Sequence, residues 1–559
     1  MKTKAQKTTV GEYLVKRLKQ AGVNHIFGVP GDYVLGFFDC LENSDIKVIN
    51  TCNELNAGYA ADAYARVNGI GAACVTFGVG GFSIFNAAVG SFAERVPVVI
   101  ICGSPRVSEY RHHHLLHHTI GDMNLQYHIY EKIAAKSVVL LNPESAPQDI
   151  DNAIATCMCL RRPVYIEIPG DIVAKPCAAP GSFEVNTTIP SDKNVLKEAV
   201  DKSARLLKSA KKVVVLAGIE AHRLGIRQEL EDLINHLGCP FVTTLLGKTV
   251  LPEKNPLFLG VYCGSLLREA AQKAVKEANV VLSLGALMTD INLGVGTLKI
   301  DPSRMIASNS DNVRIMRHLY EDVSLKDFIK ELRKKLPAGK PDFSKIDHPS
   351  RLLKKDFHPV PKNKITISRF YERINHFINK NKDSIVLTDT GDSIFCTAEL
   401  FLPEGIEYIG QAFYLSIGYS VPAALGLKLA MPRRRPVVFV GDGAFQMTAQ
   451  ELSSIIRHKL NPVIFLMNND GYTIERAIHD GPYNDINMWK YHRLPDIFGG
   501  ACGMEVRTEG DLEAAIKKAE DNPDSLAFIE VCLDRLDSSG ALKKIGKALN
   551  NQSVNPGRF

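Results

Sequence analysis

Asp442 stands between two glycines at the end of the apolar run RPVVFV, and Asn469 follows the apolar run NPVIFLM twenty-seven residues later. Each polar residue ends a segment that reads as a buried strand, and the interval suits one strand-helix-strand crossover. Two neighbouring strand ends can therefore aim a carboxylate and an amide at one ion. Mg²⁺ takes such hard oxygen ligands and keeps phosphate oxygens and water in its octahedral shell. It asks the protein for little more than a carboxylate, an amide and one backbone carbonyl. Gly471 is the expected carbonyl. Gly441 and Gly443 let the backbone approach a ligand closely, and the helix-like TAQELSSIIRH lies beyond them, so Gly441 to Asn469 reads as an anchor for a metal and a diphosphate. GDG and NNDG taken singly are turn-favouring strings. Their pairing at this spacing, each behind an apolar strand, is what points to chemistry.

The pattern of GDG, an intervening unit of this length and then NN resembles the thiamine diphosphate signature. FGVPGD, LLHHTIGD, DTGDS, SIGYS and NNDGYTIE extend the resemblance over nearly the whole chain to the pyruvate, indolepyruvate and phenylpyruvate decarboxylases. The resemblance implies thiamine diphosphate and Mg²⁺ as cofactors and a 2-keto acid as substrate. It also implies a homodimer with the cofactor between the first domain of one subunit and the last domain of its partner, with a homotetramer as the expected assembly.

Site roles follow from the same resemblance. Glu54, in INTCNELNAGYAADAYARVNG, would hydrogen-bond the aminopyrimidine ring and promote formation of the thiazolium ylide, burial helping it to trade a proton with the ring. By position alone it could equally be a first-turn carboxylate facing a helix dipole. His117 and His118 align with the family's HH pair, and with Asp32 of VPGDYV and Glu475 of YTIERAIH they would form a proton relay, since imidazole titrates near neutrality. His112, His113 and His114 precede that pair as a local oddity without an assigned role, and the five histidines lack the spacing of a known zinc site. Asp442, Asn469 and Gly471 are the expected metal ligands. The cofactor should be lined by Glu54, Thr390, Gly391, Asp392, Leu415, Ile417, Gly441, Asp442, Gly443, Ala444, Asn469, Gly471 and Tyr472, with Ile417 as an apolar prop.

The implied reaction is nonoxidative decarboxylation of a 2-keto acid to an aldehyde and CO₂ through the ylide and an enamine. A carboligase of the acetolactate synthase kind would share the fold, and the HH pair with Glu475 argues against it. GVGGFS lacks the third glycine of a dinucleotide-binding turn, which disfavours a nicotinamide or flavin oxidoreductase. Family members regulated by substrate carry a cysteine near GIEAHRLG, where this chain has Glu220, Ala221 and His222, so no such thiol switch is expected. DTGDSIF and FGGACGMEVRTEGDL resemble the aromatic keto acid enzymes, whereas NNDGYTIE resembles the broad and pyruvate types. A larger, aromatic or branched acid is the expected substrate.

The elements that must position these residues are α/β throughout. Short apolar runs alternate with helical patterns, and three doubly wound parallel-sheet domains are expected: pyrimidine-binding (1–180), a central Rossmann-like domain (191–340) and diphosphate-binding with a C-terminal segment (360–559). A Pro, Ala and Gly rich linker runs from Lys175 to Pro190. At an offset of 363, Ala60, Ala61, Val75, Gly78, Gly80 and Phe82 repeat as Ala423, Ala424, Val438, Gly441, Gly443 and Phe445, with Val79 in place of Asp442. Two related domains, one of them metal-binding, would produce this echo.

A length of 559 residues exceeds one core, and 45% hydrophobic with 23% charged residues is ordinary globular usage. A net charge of +6 on 67 basic and 61 acidic side chains, without a dense basic block, argues against nucleic acid. No run of apolar residues is long enough for a membrane span or a signal peptide. Twelve cysteines without a framework of spacings read as reduced thiols, including the CxC of Cys157 and Cys159, and a cytoplasmic location is expected.

Overall fold

The computed structural model describes residues 7–111, 115–187, 189–292, 294–297 and 300–554, so His112, His113 and His114 lie outside the described residues. The chain separates into two compact units. One holds the N-terminal part through residue 188 together with 418–433 and 448–460, and the other holds 189–417, 434–447 and the chain from 461 onward.

In the first unit, β1 (Lys7–Thr9) pairs antiparallel with β8 (Pro176–Ala178), so the expected linker begins with a strand stitched back to the N-terminal end of the fold. Between them lie β2 (His25–Gly28), β3 (Lys47–Asn50), β4 (Gly71–Thr76), β5 (Val98–Ser104), β6 (Lys136–Val139) and β7 (Val164–Pro169), in the all-parallel order β3-β2-β4-β5-β7-β6. Every residue of β4, β5 and β7 is buried, which is why these strands are continuous apolar runs rather than alternating ones.

The Glu54–Asn68 helix is rich in alanine because it packs backbone to backbone on the Ser420–Ala430 helix. A Cβ at Gly426 would lie 2.0 Å from the Ala60 carbonyl oxygen. Within that contact Asp62 accepts hydrogen bonds from Ser91 and Tyr419 and pairs with Arg66, which also pairs with Glu94. The charges of Asp62, Arg66 and Glu94 are all buried. Removing one of these partners would strand the others away from water.

The second unit carries two sheets. The central one comprises β9 (Val213–Ala217), β10 (Phe241–Thr244), β11 (Phe258–Tyr262), β12 (Val280–Leu284), β13 (Met305–Ser308), β14 (Asn312–Ile315) and β15 (His318–Glu321), ordered β11-β10-β9-β12-β13-β14-β15. Its β14 and β15 run antiparallel, so this sheet is parallel except at one edge. The reason is local: β14 and β15 are joined by a two-residue turn with Met316 at φ 56°, which leaves no room for a crossover helix. The last sheet comprises β16 (Ser384–Thr388), β17 (Glu407–Gly410), β18 (Arg435–Gly441), β19 (Val463–Asn468), β20 (Met504–Val506) and β21 (Ala527–Cys532). Its order β17-β16-β18-β19-β21-β20 is parallel throughout.

That order repeats the order of the first sheet strand for strand. The offset of 363 extends through it: β7 at 164–169 maps onto β21 at 527–532, and the Ala146–Leu160 helix onto the Glu509–Asp521 helix. Val79 and Asp442 are both the first residue of the helix that follows the third strand of the order. The echo seen in the sequence is therefore an architectural repeat, with a carboxylate in only one copy. No helix among the described residues is long and apolar enough to cross a membrane.

Candidate active site

Asp442 leaves β18 as the first residue of the Asp442–Thr448 helix and is only 1% exposed. Its Oδ1 accepts the Gly443 N–H at 2.8 Å and its Oδ2 the Gly471 N–H at 3.0 Å. Desolvation pushes its carboxyl up to about 6 even though the surrounding backbone N–H groups hold it down. Among the described residues it forms no ion pair. A buried carboxylate whose hydrogen-bond partners among the described residues are backbone N–H groups lacks a countercharge, and a divalent ion would supply what such a group needs.

Asp442 faces the turn that follows β19. Asn469 and Asp470 are half-buried, Asp470 has φ 63°, and Gly471 is buried at φ 122°, a conformation that favours glycine. A Cβ there would also strike the Asn484 carbonyl oxygen at 2.3 Å. The Gly471 carbonyl accepts the Thr473 N–H at 2.9 Å and retains a second lone pair for a ligand. Tyr472 covers Gly443, where a Cβ would meet its ring at 2.4 Å, while Gly441 faces open space. Ala444 is buried.

Thr390 and Gly391 follow β16, two strands from the Asn469 turn. The Thr390 hydroxyl is buried without a hydrogen-bond partner among the described residues, and Gly391, at φ 120°, has nothing within 4 Å of where a Cβ would be. An orphan donor beside open space fits a phosphate oxygen. Asp392 differs. Its carboxylate accepts the Ser539 N–H at 2.7 Å and the Ser539 hydroxyl, so it holds the start of the C-terminal Gly540–Val554 helix. Leu415 adopts φ 58° and Ile417 is half-buried, so Ile417 is not a core residue. Glu475 lies on the Thr473–Ile478 helix and is exposed.

The remaining expected residues belong to the first unit. Glu54 is the first residue of its helix, capped by Asn53, and is half-buried rather than shielded within this chain. A Cβ placed on Gly80 would lie 3.6 Å from Glu54 Oε1, so the glycine turn after β4 keeps space open beside the carboxylate. Asp32 starts the Asp32–Val34 turn of 3-10 helix, and its Oδ2 lies 2.5 Å from His117 Nε2. Desolvation raises the Asp32 carboxyl, but the hydrogen bond and charge of His117 outweigh it, leaving the group below its usual range. Tyr33 stacks on His117 at 4.8 Å, and His118, at φ 64°, meets His117 edge on. The His118 carbonyl rests against Gly78, where a Cβ would be 1.9 Å away. Asp32, His117 and His118 are thus brought together, all three exposed, in the unit that also holds Glu54.

Three supporting residues escape a reading of the sequence. Arg476 is buried, and its guanidinium donates to the carbonyls of Asn469, Asp470 and Asn484 and to Asp485, clamping the Asn469–Gly471 turn. Gln411 accepts the Ser416 N–H at 3.1 Å and so steadies the turn carrying Leu415. Glu451 accepts the Cys52 N–H at 3.0 Å and Asn56 Nδ2 at 2.7 Å, gripping the chain on both sides of Glu54, and burial raises its carboxyl. Arg476 looks like an ordinary helix cation, and Glu451 lies almost 400 positions from its partners, so local pattern carries no signal for either.

Residues 8–125 match the thiamine pyrophosphate enzyme N-terminal TPP binding domain, 200–336 the central domain and 389–531 the C-terminal TPP binding domain. A probable pyruvate decarboxylase of Schizosaccharomyces pombe is 36% identical over 96% of this chain and 95% of its own length. An alpha-keto-acid decarboxylase of Mycobacterium leprae is 36% identical over 98% of both chains, and pyruvate decarboxylase 3 of Arabidopsis thaliana is 35% identical over 98% of this chain and 95% of its own. The chain belongs to the thiamine diphosphate-dependent 2-keto acid decarboxylase family.

Proposed function

We propose that the protein converts a 2-keto acid to an aldehyde and CO₂ without an oxidant, using thiamine diphosphate held through Mg²⁺. The observation that carries this reading is Asp442, a buried carboxylate ringed by backbone amides at a strand end, with the Thr390 hydroxyl, buried and unpaired among the described residues, just beyond the end of the neighbouring strand. Asp442, the Asn469 side chain and the Gly471 carbonyl hold the metal, and Gly441, Gly443, Ala444, Thr390 and Gly391 receive the diphosphate. Leu415, Ile417 and Tyr472 line the rest of the cofactor, and Asp392 acts through the C-terminal helix it anchors. When bound, thiamine diphosphate supplies a nucleophilic carbon and a sink for the electron pair that CO₂ leaves behind.

The chain's own residues supply orientation and protons. Glu54 holds a proton against the aminopyrimidine, and the cover it lacks within one chain comes from the partner subunit in a homodimer that assembles into a homotetramer. Asp32 orients His117, and His117, His118 and Glu475 move protons to and from the substrate carbon and oxygen. Three domains spanning 1–180, 191–340 and 360–559 suit the three sheets. The twelve free cysteines support a cytoplasmic setting. The relatives named for pyruvate and for alpha-keto acids support the substrate class, and a larger aromatic or branched acid is the proposed member of it.

The test is a panel of pyruvate, branched, phenyl and indolyl 2-keto acids given to the protein with Mg²⁺ and thiamine diphosphate. CO₂ release that requires both cofactors, fastest with a larger acid, supports the proposal. Absence of CO₂ from every acid overturns the reaction, and fastest turnover of pyruvate overturns the substrate preference.

A further inference from the structure

At the edge of the last sheet, four metal-ligating side chains of three chemical types converge. Glu505 on β20 and Glu530 on β21 are register partners, so their carboxylates face each other across neighbouring strands. Cys532, two residues beyond Glu530, projects from the same face. Its Sγ lies 3.8 Å from a Glu505 carboxylate oxygen and 4.0 Å from Glu530 Oε1. His492, from the Tyr491–Arg493 turn, places Nδ1 2.7 Å from Glu530 Oε2. One ligand atom each from His492, Glu505 and Glu530 lies within 4.8 Å of the others.

We propose that His492, Glu505, Glu530 and Cys532 form a binding site for a borderline-soft divalent cation of the Zn²⁺ class, separate from the Mg²⁺ site. Tetrahedral bonds of about 2.0–2.3 Å put donor atoms about 3.3–3.8 Å apart, so these groups need only small side-chain shifts to close on one ion. The donor set selects the metal: imidazole and thiol are poor ligands for Mg²⁺ and good ones for Zn²⁺.

Outer contacts already aim the ligands. Glu530 is 3% exposed and receives Asn468 Nδ2 at 2.7 Å and the His492 N–H at 2.9 Å, which fix its carboxylate plane. Two carboxylates directly opposed on adjacent strands repel each other. Among the described residues Arg507 donates to Glu505 at 2.7 Å, so with Cys532 as a thiolate the two carboxylates and the sulfur outweigh that one cation, an excess that a divalent ion would neutralise. Burial and the charge of Glu530 push the Cys532 thiol up to about 12, and a bound cation would release that proton to solvent as the thiolate forms. Glu505 is exposed, which leaves the ion a path from water.

The site can be read with Cd²⁺ and Zn²⁺ on the protein saturated with Mg²⁺ and thiamine diphosphate. Cd²⁺ bound to a thiolate absorbs in the ultraviolet, a signal that the sulfur-free Asp442 site cannot produce. The expected result is one Cd²⁺ per chain with that absorbance, displaced by Zn²⁺, with affinity falling by at least about tenfold in His492→Ala and the absorbance disappearing in Cys532→Ser. Far-ultraviolet dichroism of both variants should match the parent protein, and a variant that failed to fold would be replaced by Glu505→Gln, whose side chain is exposed. The absence of a thiolate signal in the parent protein, or a signal and affinity unchanged in the folded variants, would overturn the site.

Discussion

Replacing Arg476 with methionine tests whether a buried cation shapes the Asn469–Gly471 turn proposed to hold Mg²⁺. Methionine fills similar space but removes the donors that reach the carbonyls of Asn469, Asp470 and Asn484. Hydrogen bonds from a charged group are worth about 1.5–3 kcal/mol each when well formed, and orphaned carbonyls in a buried place add to the loss. The Asn469 and Asn484 contacts are long, at 3.2 and 3.4 Å, so most of the effect comes from Asp470. Asp485 is 45% exposed and regains water, so its ion pair adds little. The sum is about 3 kcal/mol, close to the cost of breaking a buried pair. If about half of it falls on the turn rather than on global unfolding, Mg²⁺ half-saturation rises roughly tenfold, since 1.4 kcal/mol is about a factor of ten. The assay follows cofactor-dependent CO₂ release against Mg²⁺ concentration, with the thermal midpoint measured alongside. Unchanged half-saturation and an unchanged midpoint in Arg476→Met would refute the clamp.

Three further outcomes follow from the same geometry. Glu54→Gln should bind thiamine diphosphate with near-normal affinity while slowing deuterium exchange at the cofactor's C2 carbon by at least about a hundredfold, in line with loss of a positioned acid; an unchanged exchange rate removes Glu54 from that step. Asp442→Ala should abolish the rise in melting temperature that Mg²⁺ produces in the presence of thiamine diphosphate, and a persisting rise would place the metal elsewhere. His25 is pushed down to about 4 by burial, with nearby cations contributing, so between its ordinary value near 6.5 and 4 the unfolded chain binds the extra proton. Stability is therefore present above that window and lost as pH falls through it. Allowing for partial exposure the loss is on the order of 1–2 kcal/mol, and a melting-temperature profile of His25→Asn should be flatter across the window.

Much of the candidate site's local geometry was legible because its residues stand where secondary structure changes. Asp442 and Asn469 announce themselves as polar residues ending buried strands, and Val79 marks the matching position in the other copy of the repeat. The repeat itself was visible only in a handful of identities, yet the strand orders coincide throughout. Glu54 was legible as a residue but not in its surroundings, because shielding depends on what covers a helix start, and one chain leaves it half-buried. Asp392 sat in the expected string, but its carboxylate is held by Ser539, nearly 150 residues away. Arg476, Gln411 and Glu451 act by pairing with backbone groups that no periodicity predicts. The antiparallel edge of the central sheet was missed because β14 and β15 are four-residue strands whose turn lacks the usual glycine or asparagine signal.

The ratio of products from the best substrate, measured with Mg²⁺, thiamine diphosphate and no electron acceptor, separates a decarboxylase from a carboligase. Asp442 and Glu54 alone would serve a carboligase as well, whereas His117, held by Asp32, is proposed with His118 and Glu475 to protonate the product. Free aldehyde should equal CO₂ throughout the reaction. CO₂ accompanied by a hydroxyketone in place of the aldehyde would contradict it.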